Sequence, residues 1–288
     1  MIPRRGPGKY VRGRIPVRTR LAFTLLPFFL SLLWGCDLRL GKPETPVRTL
    51  DEISDKAIES FRRKTIFFGH ASVGQNIVQG MKEIVGMDPR FGKIRIVEFD
   101  EATVVKEPGF YHAINGENGY PKTKCNAFLN LLLRNRLGDR LDAGLFKFCY
   151  LDIERDSNVR EIFDYYVITV EEVKKEFPKL KIVHVTVPLY VHPTGVKGFI
   201  KNILRPDIAN VKRNQFNELL KSRYSGTDPI YDLARVEYET GPGETARFTH
   251  DGKVYHSLAE AYTDDGGHLN ETGRFLTAKE LIRTLSEI

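Results

Sequence analysis

Short apolar runs alternate with amphipathic helical segments along most of the chain. The apolar runs have the length and the β-branched or aromatic content of strands, and the segments between them repeat apolar residues at helical spacing. This alternation predicts a mainly parallel five-stranded sheet with helices on both faces, because parallel strands need helical crossovers between them. The predicted strands are 65–68, 94–99, 145–151, 181–187 and 229–233, and the predicted helices are 51–63, 74–85, 125–135, 159–177, 208–223 and 271–287.

A glycine-containing loop lies just before the last predicted helix. In this loop Asp265 precedes His268 by three residues, and Gly266 and Gly267 stand between them. Glycines let a loop turn back on itself, so that side chains three residues apart can meet. A serine hydrolase needs a carboxylate that orients the imidazole of its general base. Asp265 and His268 are therefore candidate catalytic residues.

The candidate nucleophile is Ser72, at the turn between the first predicted strand and the helix that follows it. A hydroxyl at such a turn is exposed, and the first backbone amides there, those of Ser72 and Val73, can bind developing negative charge. The alternative is that Ser72 only caps the helix, since serine is a preferred N-cap residue. The loop that carries Asp265 and His268 favours catalysis.

In these features the chain resembles the SGNH/GDSL hydrolases, over roughly residues 64–286. That family carries its serine just after the first strand and an Asp-x-x-His just before the last helix, and Ser72, Asp265 and His268 match those positions. The resemblance implies a three-layer α/β/α flavodoxin-like sandwich of the SGNH type. It also implies a serine ester hydrolase in which Ser72 attacks, His268 is the general base and then acid, and Asp265 orients it.

Two sequence blocks depart from the family pattern. Residues 69–72 read Gly-His-Ala-Ser where Gly-Asp-Ser-Leu is expected, and residues 149–152 read Cys-Tyr-Leu-Asp where Gly-x-Asn-Asp is expected. The second block lacks the Asn that donates to the oxyanion in the family. Gly116 or Gly119 could supply the glycine donor of the resembled family, and Asn118 or Asn115 could replace the missing Asn. A plain turn-rich loop is the alternative for this segment.

Four further residues are candidates for the walls of the pocket. His70 precedes Ser72 by two residues, and His112 lies in the excursion 108–124. Asp152 follows a predicted strand, where it could order the active-site loops. Tyr255 belongs to a predicted hairpin within 240–263, which turns on Asp-Gly at 251–252. For His70 and Tyr255 a purely structural role is the alternative, whereas for Asp152 the ordering of the loops is itself structural and direct catalysis is the alternative.

The first 35 residues predict an export signal. Residues 1–20 carry seven basic and no acidic residues, and the apolar run 21–34 is shorter than the roughly 20 residues of a spanning helix. The ending Leu-Trp-Gly-Cys resembles a bacterial lipobox with Cys36 as the lipidated residue. The predicted organisation is a signal peptide over 1–35, a tether over 36–50 and a hydrolase domain over 51–288. A simple cleaved signal and an uncleaved anchor are the alternatives.

The basic charge of the chain belongs to this leader. Seven of the 44 Lys and Arg precede Cys36, which leaves 37 against 37 Asp and Glu, so the mature chain is formally neutral and no nucleic-acid partner is expected. There is no His-x-x-x-His, no Cys-x-x-Cys and no phosphate-binding glycine loop, so no metal or cofactor is predicted. Cys125 and Cys149 could pair or remain free thiols.

The sequence leaves two functions open. One is an extracytoplasmic esterase, lipid-anchored in a bacterial cell envelope, that removes acetyl or other short acyl groups from a carbohydrate or glycan. The other is a surface lipoprotein that keeps an SGNH-like fold to bind or assemble glycan without turnover. The matching Ser72, Asp265 and His268 favour the first function, and the two altered blocks favour the second.

Overall fold

The computed structural model of the protein describes residues 49–193 and 207–288, and the elements below are numbered within these ranges. The helices are α1 Asp55–Arg62, α2 Val73–Met87, α3 Pro121–Leu133, α4 Val159–Glu176, α5 Ile208–Tyr224, α6 Leu233–Tyr238 and α7 Glu271–Ser286. The strands are β1 Thr65–His70, β2 Ile96–Glu98, β3 Gly109–Ile114, β4 Ala143–Phe146, β5 Lys181–Ile182, β6 His184–Val185, β7 Ile230–Tyr231, β8 Glu239–Gly241, β9 Glu244–Thr245, β10 Arg247–His250 and β11 Lys253–His256.

A five-stranded parallel sheet, in the order β2-β3-β1-β4-β5, forms the centre of the fold. This confirms the predicted three-layer α/β/α class. Strand β6 follows β5 after one residue and pairs in parallel with β7. Because the strands are parallel, the chain leaves β1, β3 and β4 at the same edge of the sheet, where ligand sites form in such folds.

Strand β3 was not among the predicted strands. The segment 108–124 was predicted to be a loop throughout, but its first part pairs with β1 from Thr65 with Gly109 to His70 with Ile114. Phe110 and Tyr111 are buried there, and four of the five Gly and Asn residues that suggested a loop follow the strand, within 115–119. The predicted strand 145–151 is also displaced: β4 ends at Phe146, and a 3-10 turn occupies Tyr150–Asp152.

The core lies on both faces of the sheet. Alternate residues of a strand point to opposite faces, so Ile66 and Phe68 pack with α1, α2 and α7, whereas Phe67 packs with α3, α4 and α5. Side-chain caps fix where several helices begin: Asn158 accepts the amide of Glu161 at the start of α4, and Asn270 accepts that of Gly273 at the start of α7.

The excursion before the last helix forms two antiparallel hairpins, β8–β9 and β10–β11. The second hairpin turns at Asp251 and Gly252, whose φ angles are 48° and 73°. Two consecutive left-handed residues are typical of the tight turn that matches the twist of paired strands.

Cys125 and Cys149 are buried free thiols. Within 49–193 and 207–288 no helix is both long and apolar enough to cross a membrane.

Candidate active site

Ser72 lies on a strained turn between β1 and α2. Its φ of 53° and ψ of −115° place a residue with a side chain in the left-handed half of the backbone map, which is costly and is found mainly at functional sites. Its side chain makes no capping hydrogen bond to α2. The turn therefore does not use the hydroxyl as a helix cap, and Ser72 Oγ is free to meet residues from elsewhere in the chain.

The loop that carries Asp265 and His268 folds around a single carboxylate. Asp265 Oδ1 accepts the backbone amides of Gly267 at 2.9 Å and of His268 at 2.8 Å, and Asp265 Oδ2 lies 2.7 Å from His268 Nδ1. Gly266 has a φ of 91°, which only a glycine adopts without strain. Leu269 then donates its amide to the side chain of Asn76 in α2, at 3.1 Å, which ties the loop to the helix that follows Ser72.

These two segments bring Ser72, His268 and Asp265 into one chain of contacts. Ser72 Oγ lies 2.9 Å from His268 Nε2, across 196 residues of sequence. With the 2.7 Å contact between His268 Nδ1 and Asp265 Oδ2, the arrangement has the order and spacing that a serine hydrolase uses. The site is open to solvent, because the His268 and Asp265 side chains remain 47% and 58% exposed.

The hydrogen bonds of Asp265 fix the state of the imidazole. The Gly267 amide, followed by the side chain and amide of His268, holds the pKa of Asp265 well below its usual range. The carboxylate is therefore ionised at neutral pH and accepts a proton-bearing nitrogen. His268 Nδ1 then donates to Asp265, which leaves Nε2 as the acceptor that faces the Ser72 hydroxyl.

Backbone amides at the start of α2 are candidate donors for an oxyanion. Gly74 and Gln75 donate their amides to the carbonyls of Ala71, at 3.1 Å, and Ser72, at 2.7 Å. The amides of Ser72 and Val73 precede them, at the end where a helix leaves its first amides without acceptors inside it. They lie next to Ser72 Oγ along the chain, as their positions in the sequence predict.

The candidate oxyanion donors in the loop after β3 make contacts with Lys124 and Asp152 instead. Gly119 donates its amide to Asp152 Oδ1 at 2.7 Å, so it does not offer this donor to an oxyanion. Asn118 Oδ1 accepts Lys124 Nζ at 2.8 Å. At Gly116, with a φ of 64°, a Cβ would lie 2.7 Å from the backbone of Lys124, so the glycine is explained by a close approach to α3. No described contact joins these three residues to Ser72.

His70 and His112 form a buried pair beneath the turn. His70 Nε2 lies 3.1 Å from His112 Nδ1, and both side chains are almost fully buried. Burial, with the nearby His112, lowers the pKa of His70 to about 3, so His70 stays neutral. At Gly74, the second residue of α2, a Cβ would lie 2.3 Å from His70 Cβ, so only a glycine fits this position. The pair therefore packs against the start of α2, and no described contact brings it to Ser72 Oγ.

Asp152 and Tyr255, the other two pocket candidates, lie in different settings. Asp152 is buried and accepts the amide of Cys149 at 2.6 Å and pairs with Lys124 Nζ at 3.1 Å. Together with its bond to Gly119, these contacts give Asp152 the loop-ordering role that its position suggested. Tyr255 packs within the second hairpin, with its ring 5.9 Å from that of Phe248, and no described contact joins it to the triad.

Lys147 lies in this region but was not among the residues predicted from the sequence. Its side chain is fully buried, and Nζ donates to the carbonyl of Ala71 at 3.1 Å and to that of Phe148 at 3.0 Å. It therefore holds the carbonyl that precedes the strained Ser72. Burial lowers the pKa of Lys147 to about 8. The only sequence signal was a lysine inside the apolar run 145–149.

Two tyrosines that were not predicted as site residues pack against the loop of Asp265 and His268. Tyr150 is 9% exposed, and its ring lies edge-on to those of His268, at 6.2 Å, and Tyr190, at 5.5 Å. Tyr190 donates its hydroxyl to the carbonyl of Asp265 at 3.2 Å and keeps 39% of its surface exposed. At Gly267 a Cβ would lie 2.8 Å from the Tyr190 ring, so the second glycine of the loop is explained by close packing.

In the described part of the chain no group of three His, Cys, Asp or Glu side chains is arranged to hold a metal ion. The chemistry that Ser72, His268 and Asp265 can perform is nucleophilic attack by a hydroxyl, assisted by an oriented imidazole.

Comparisons with known proteins give similarity in structure only. No family model and no curated protein matches the chain. The chain is similar to a protein from Streptococcus pneumonia that is provisionally described as a platelet activating factor, at 17% identity over 82% of this chain and 94% of that one, with a TM-score of 0.44. It is also similar to an acetyl xylan esterase, AlAXEase, at 15% identity over 75% and 97% of the two chains, with a TM-score of 0.44.

A third similar structure is provisionally assigned to the G-D-S-L family of lipolytic proteins and comes from Desulfitobacterium hafniense DCB-2. Its identity is 10% over 77% of this chain and 99% of that one, with a TM-score of 0.43. These identities are too low to transfer an activity, so the function of the site has to follow from its own geometry.

Proposed function

We propose that this protein is a serine ester hydrolase of the SGNH/GDSL type. The observation that carries the proposal is the continuous set of contacts from Ser72 Oγ through His268 to Asp265, placed at the carboxyl end of β1. Ser72 Oγ attacks the acyl carbon while His268 Nε2 takes its proton. His268 then returns this proton to the leaving alcohol, and an acyl-enzyme remains on Ser72.

Water completes the cycle by the same chemistry. His268 Nε2 takes a proton from the water that attacks the acyl carbon, and Ser72 Oγ leaves and regains that proton. The ionised Asp265 stabilises the imidazolium that forms in both steps. The backbone amides of Ser72 and Val73 face the negative charge that develops on the acyl oxygen.

The proposed substrate is a short acyl ester of a carbohydrate. A long acyl chain needs an apolar channel that removes it from water, whereas an acetyl group needs little more than the oxyanion donors, which suits a half-exposed catalytic pair. Tyr190, which is 39% exposed beside the loop of Asp265, offers a sugar an aromatic side chain to pack against. Release of acetate from peracetylated glucose, with little hydrolysis of a p-nitrophenyl ester of palmitate, would support this choice.

Fluorophosphonate labelling tests the proposal. The probe should attach to the purified wild-type protein and not to Ser72→Ala, while Ser225→Ala, at the end of α5, is labelled as wild type. A folded wild-type protein that takes no label would favour the second function, a non-catalytic glycan-binding lipoprotein. The observation in favour of that function is that Leu151 stands where the family has its oxyanion Asn.

The proposed location is the outer side of a bacterial membrane, with the protein held by a lipid on Cys36. Cys36 and the rest of the leader and tether up to residue 48 lie outside the described residues, so this proposal rests on the sequence. Cys36→Ser should release the protein from the membrane fraction or leave the precursor uncleaved. An unchanged mass together with unchanged membrane partition would show that Cys36 is not lipidated.

A further inference from the structure

We propose that the phenol of Tyr150 donates a hydrogen bond to the oxyanion formed at Ser72, in place of the Asn that the chain lacks. This inference rests on the proposed esterase function and adds a catalytic residue to it. The missing Asn would stand at Leu151, whose side chain is apolar and 43% exposed. The neighbouring position in the same turn carries the donor instead.

The sheet places Tyr150 beside the nucleophile. Strand β4 pairs in parallel with β1, with Phe146 opposite Gly69, so both strands end at the same edge of the sheet. The chain after β1 reaches Ser72 within a few residues, and the chain after β4 reaches the 3-10 turn that begins at Tyr150. Residues from distant parts of the sequence therefore meet above this edge.

The hydroxyl of Tyr150 points at the catalytic residues. A Cβ at Gly267 would lie 2.9 Å from Tyr150 Oη and 3.0 Å from Cζ, so the tip of the phenol rests against the loop between Asp265 and His268. The Ser72 side chain is close enough to the same phenol to lower its pKa, although burial outweighs this effect. Tyr150 Oη therefore lies beside the loop of Asp265 and His268, on the side where Ser72 meets His268.

A donor in this position can reach the oxyanion. When Ser72 Oγ bonds to the acyl carbon, the acyl oxygen becomes negative and is attached to the same carbon as Oγ. A group that interacts with Oγ in the resting enzyme is therefore close to the new charge. Donors of this kind act at about 2.7–3.1 Å from the oxyanion and strengthen as its charge develops.

The phenol is also held in the state and orientation that a donor requires. Burial, followed by the neighbouring Cys149 and Asp265, raises the pKa of Tyr150, so its proton stays in place at neutral and mildly alkaline pH. The buried Arg213 donates Nε to the carbonyls of Tyr150 at 2.9 Å and Ile153 at 3.1 Å, and its guanidinium carbon lies 5.7 Å from the centre of the Tyr150 ring. Binding of substrate need not order the ring.

The test compares Tyr150→Phe with a matched control, Tyr262→Phe. Each change removes one hydroxyl from a well-buried ring, and the Tyr262 hydroxyl donates to the carbonyl of Glu239 at 2.7 Å, away from the triad. With p-nitrophenyl acetate, Tyr150→Phe should lower kcat by about 10²–10³-fold and change KM by less than about threefold, as loss of one oxyanion donor does. Tyr262→Phe should keep kcat within about threefold of wild type.

The outcomes separate this inference from the proposed function. Ser72-dependent turnover in the wild type, with a kcat in Tyr150→Phe within about threefold of it, would overturn the role of Tyr150 alone. Absence of Ser72-dependent turnover in the wild type would overturn both proposals. If Tyr150→Phe does not fold, the structure of the wild-type phosphonate adduct decides. We expect Tyr150 Oη within hydrogen-bonding distance of a phosphoryl oxygen, and an oxygen directed away from it would refute the inference.

Discussion

Replacing Glu237 by Gln should change how the stability of the protein depends on pH. Glu237 lies in α6 with its side chain fully buried. Its Oε2 accepts the amide of Leu189 at 2.7 Å, and its Oε1 has no hydrogen-bond partner in the described part of the chain. Burial raises the pKa of Glu237 from 4.5 to about 8, against the smaller opposite effects of the Leu189 amide and of Lys147.

The sign and size of the effect follow from that pKa. A carboxyl whose pKa is higher in the folded than in the unfolded state stabilises the fold fully below the unfolded value, and this stabilisation is lost as pH rises through the folded value. The window therefore runs from about pH 4.5 to about pH 8. A pKa raised over this range corresponds to a loss of about 5 kcal/mol in the free energy of unfolding, at about 1.4 kcal/mol for each tenfold change in proton affinity.

Urea unfolding of wild type and Glu237→Gln at pH 5 and pH 7.5 measures the difference. Comparing the two proteins at each pH cancels the contributions of titrating groups that both contain. His70 is one such group, because its lowered pKa makes the free energy of unfolding rise with pH over part of this range. The free energy of unfolding of Glu237→Gln, relative to wild type, should increase by several kcal/mol from pH 5 to pH 7.5. The exposed Glu239→Gln serves as control. Parallel pH profiles for wild type and Glu237→Gln would refute the reasoning.

Two glycines give further predictions. Gly267→Ala should reduce ester hydrolysis by at least tenfold and change the melting temperature little. The reason is that a Cβ would lie under 3 Å from Tyr150 Oη and from the Tyr190 ring. Hydrolysis at the wild-type rate would show that the loop adjusts without loss of activity. Gly252→Val should loosen the β10–β11 hairpin, because valine tolerates a φ of 73° poorly. Hydrogen exchange should increase in 247–256, and unchanged activity in this variant would show that the hairpin does not shape the pocket.

The layered fold was predictable from the sequence because its signals are local. The apolar run before Ser72 and the helical spacing of Ile77, Met81 and Ile84 each need only neighbouring residues to be recognised, and the structure has β1 and α2 there. Strand β3 was missed because several Gly and Asn residues follow it closely, and the whole of 108–124 was interpreted from them. Its pairing with β1 comes from more than 40 residues away and leaves no local mark.

The candidate site, too, could be predicted only in part from the sequence. Asp265, His268 and Ser72 stand in short motifs whose residue types match one reaction, so sequence alone indicated that they should meet. Lys147 was missed because its partner Ala71 is 76 residues away, and sequence does not show that a lysine in a strand is buried. Tyr150 was overlooked because residues 149–152 were compared with the family pattern only for the missing Asn. The direction of a phenol depends on the packing around it, which the sequence does not show.

The turnover of p-nitrophenyl acetate by Ser72→Ala, His268→Ala and the double variant tests the central claim most directly. If Ser72 and His268 act together, each single variant should lose activity by orders of magnitude, up to about 10⁶-fold in kcat as in the subtilisin series, and the double variant should lose little more. Ser72→Ala should stay folded, since its side chain makes no capping bond. Losses that add in the double variant, or turnover in Ser72→Ala close to wild type, would contradict the triad.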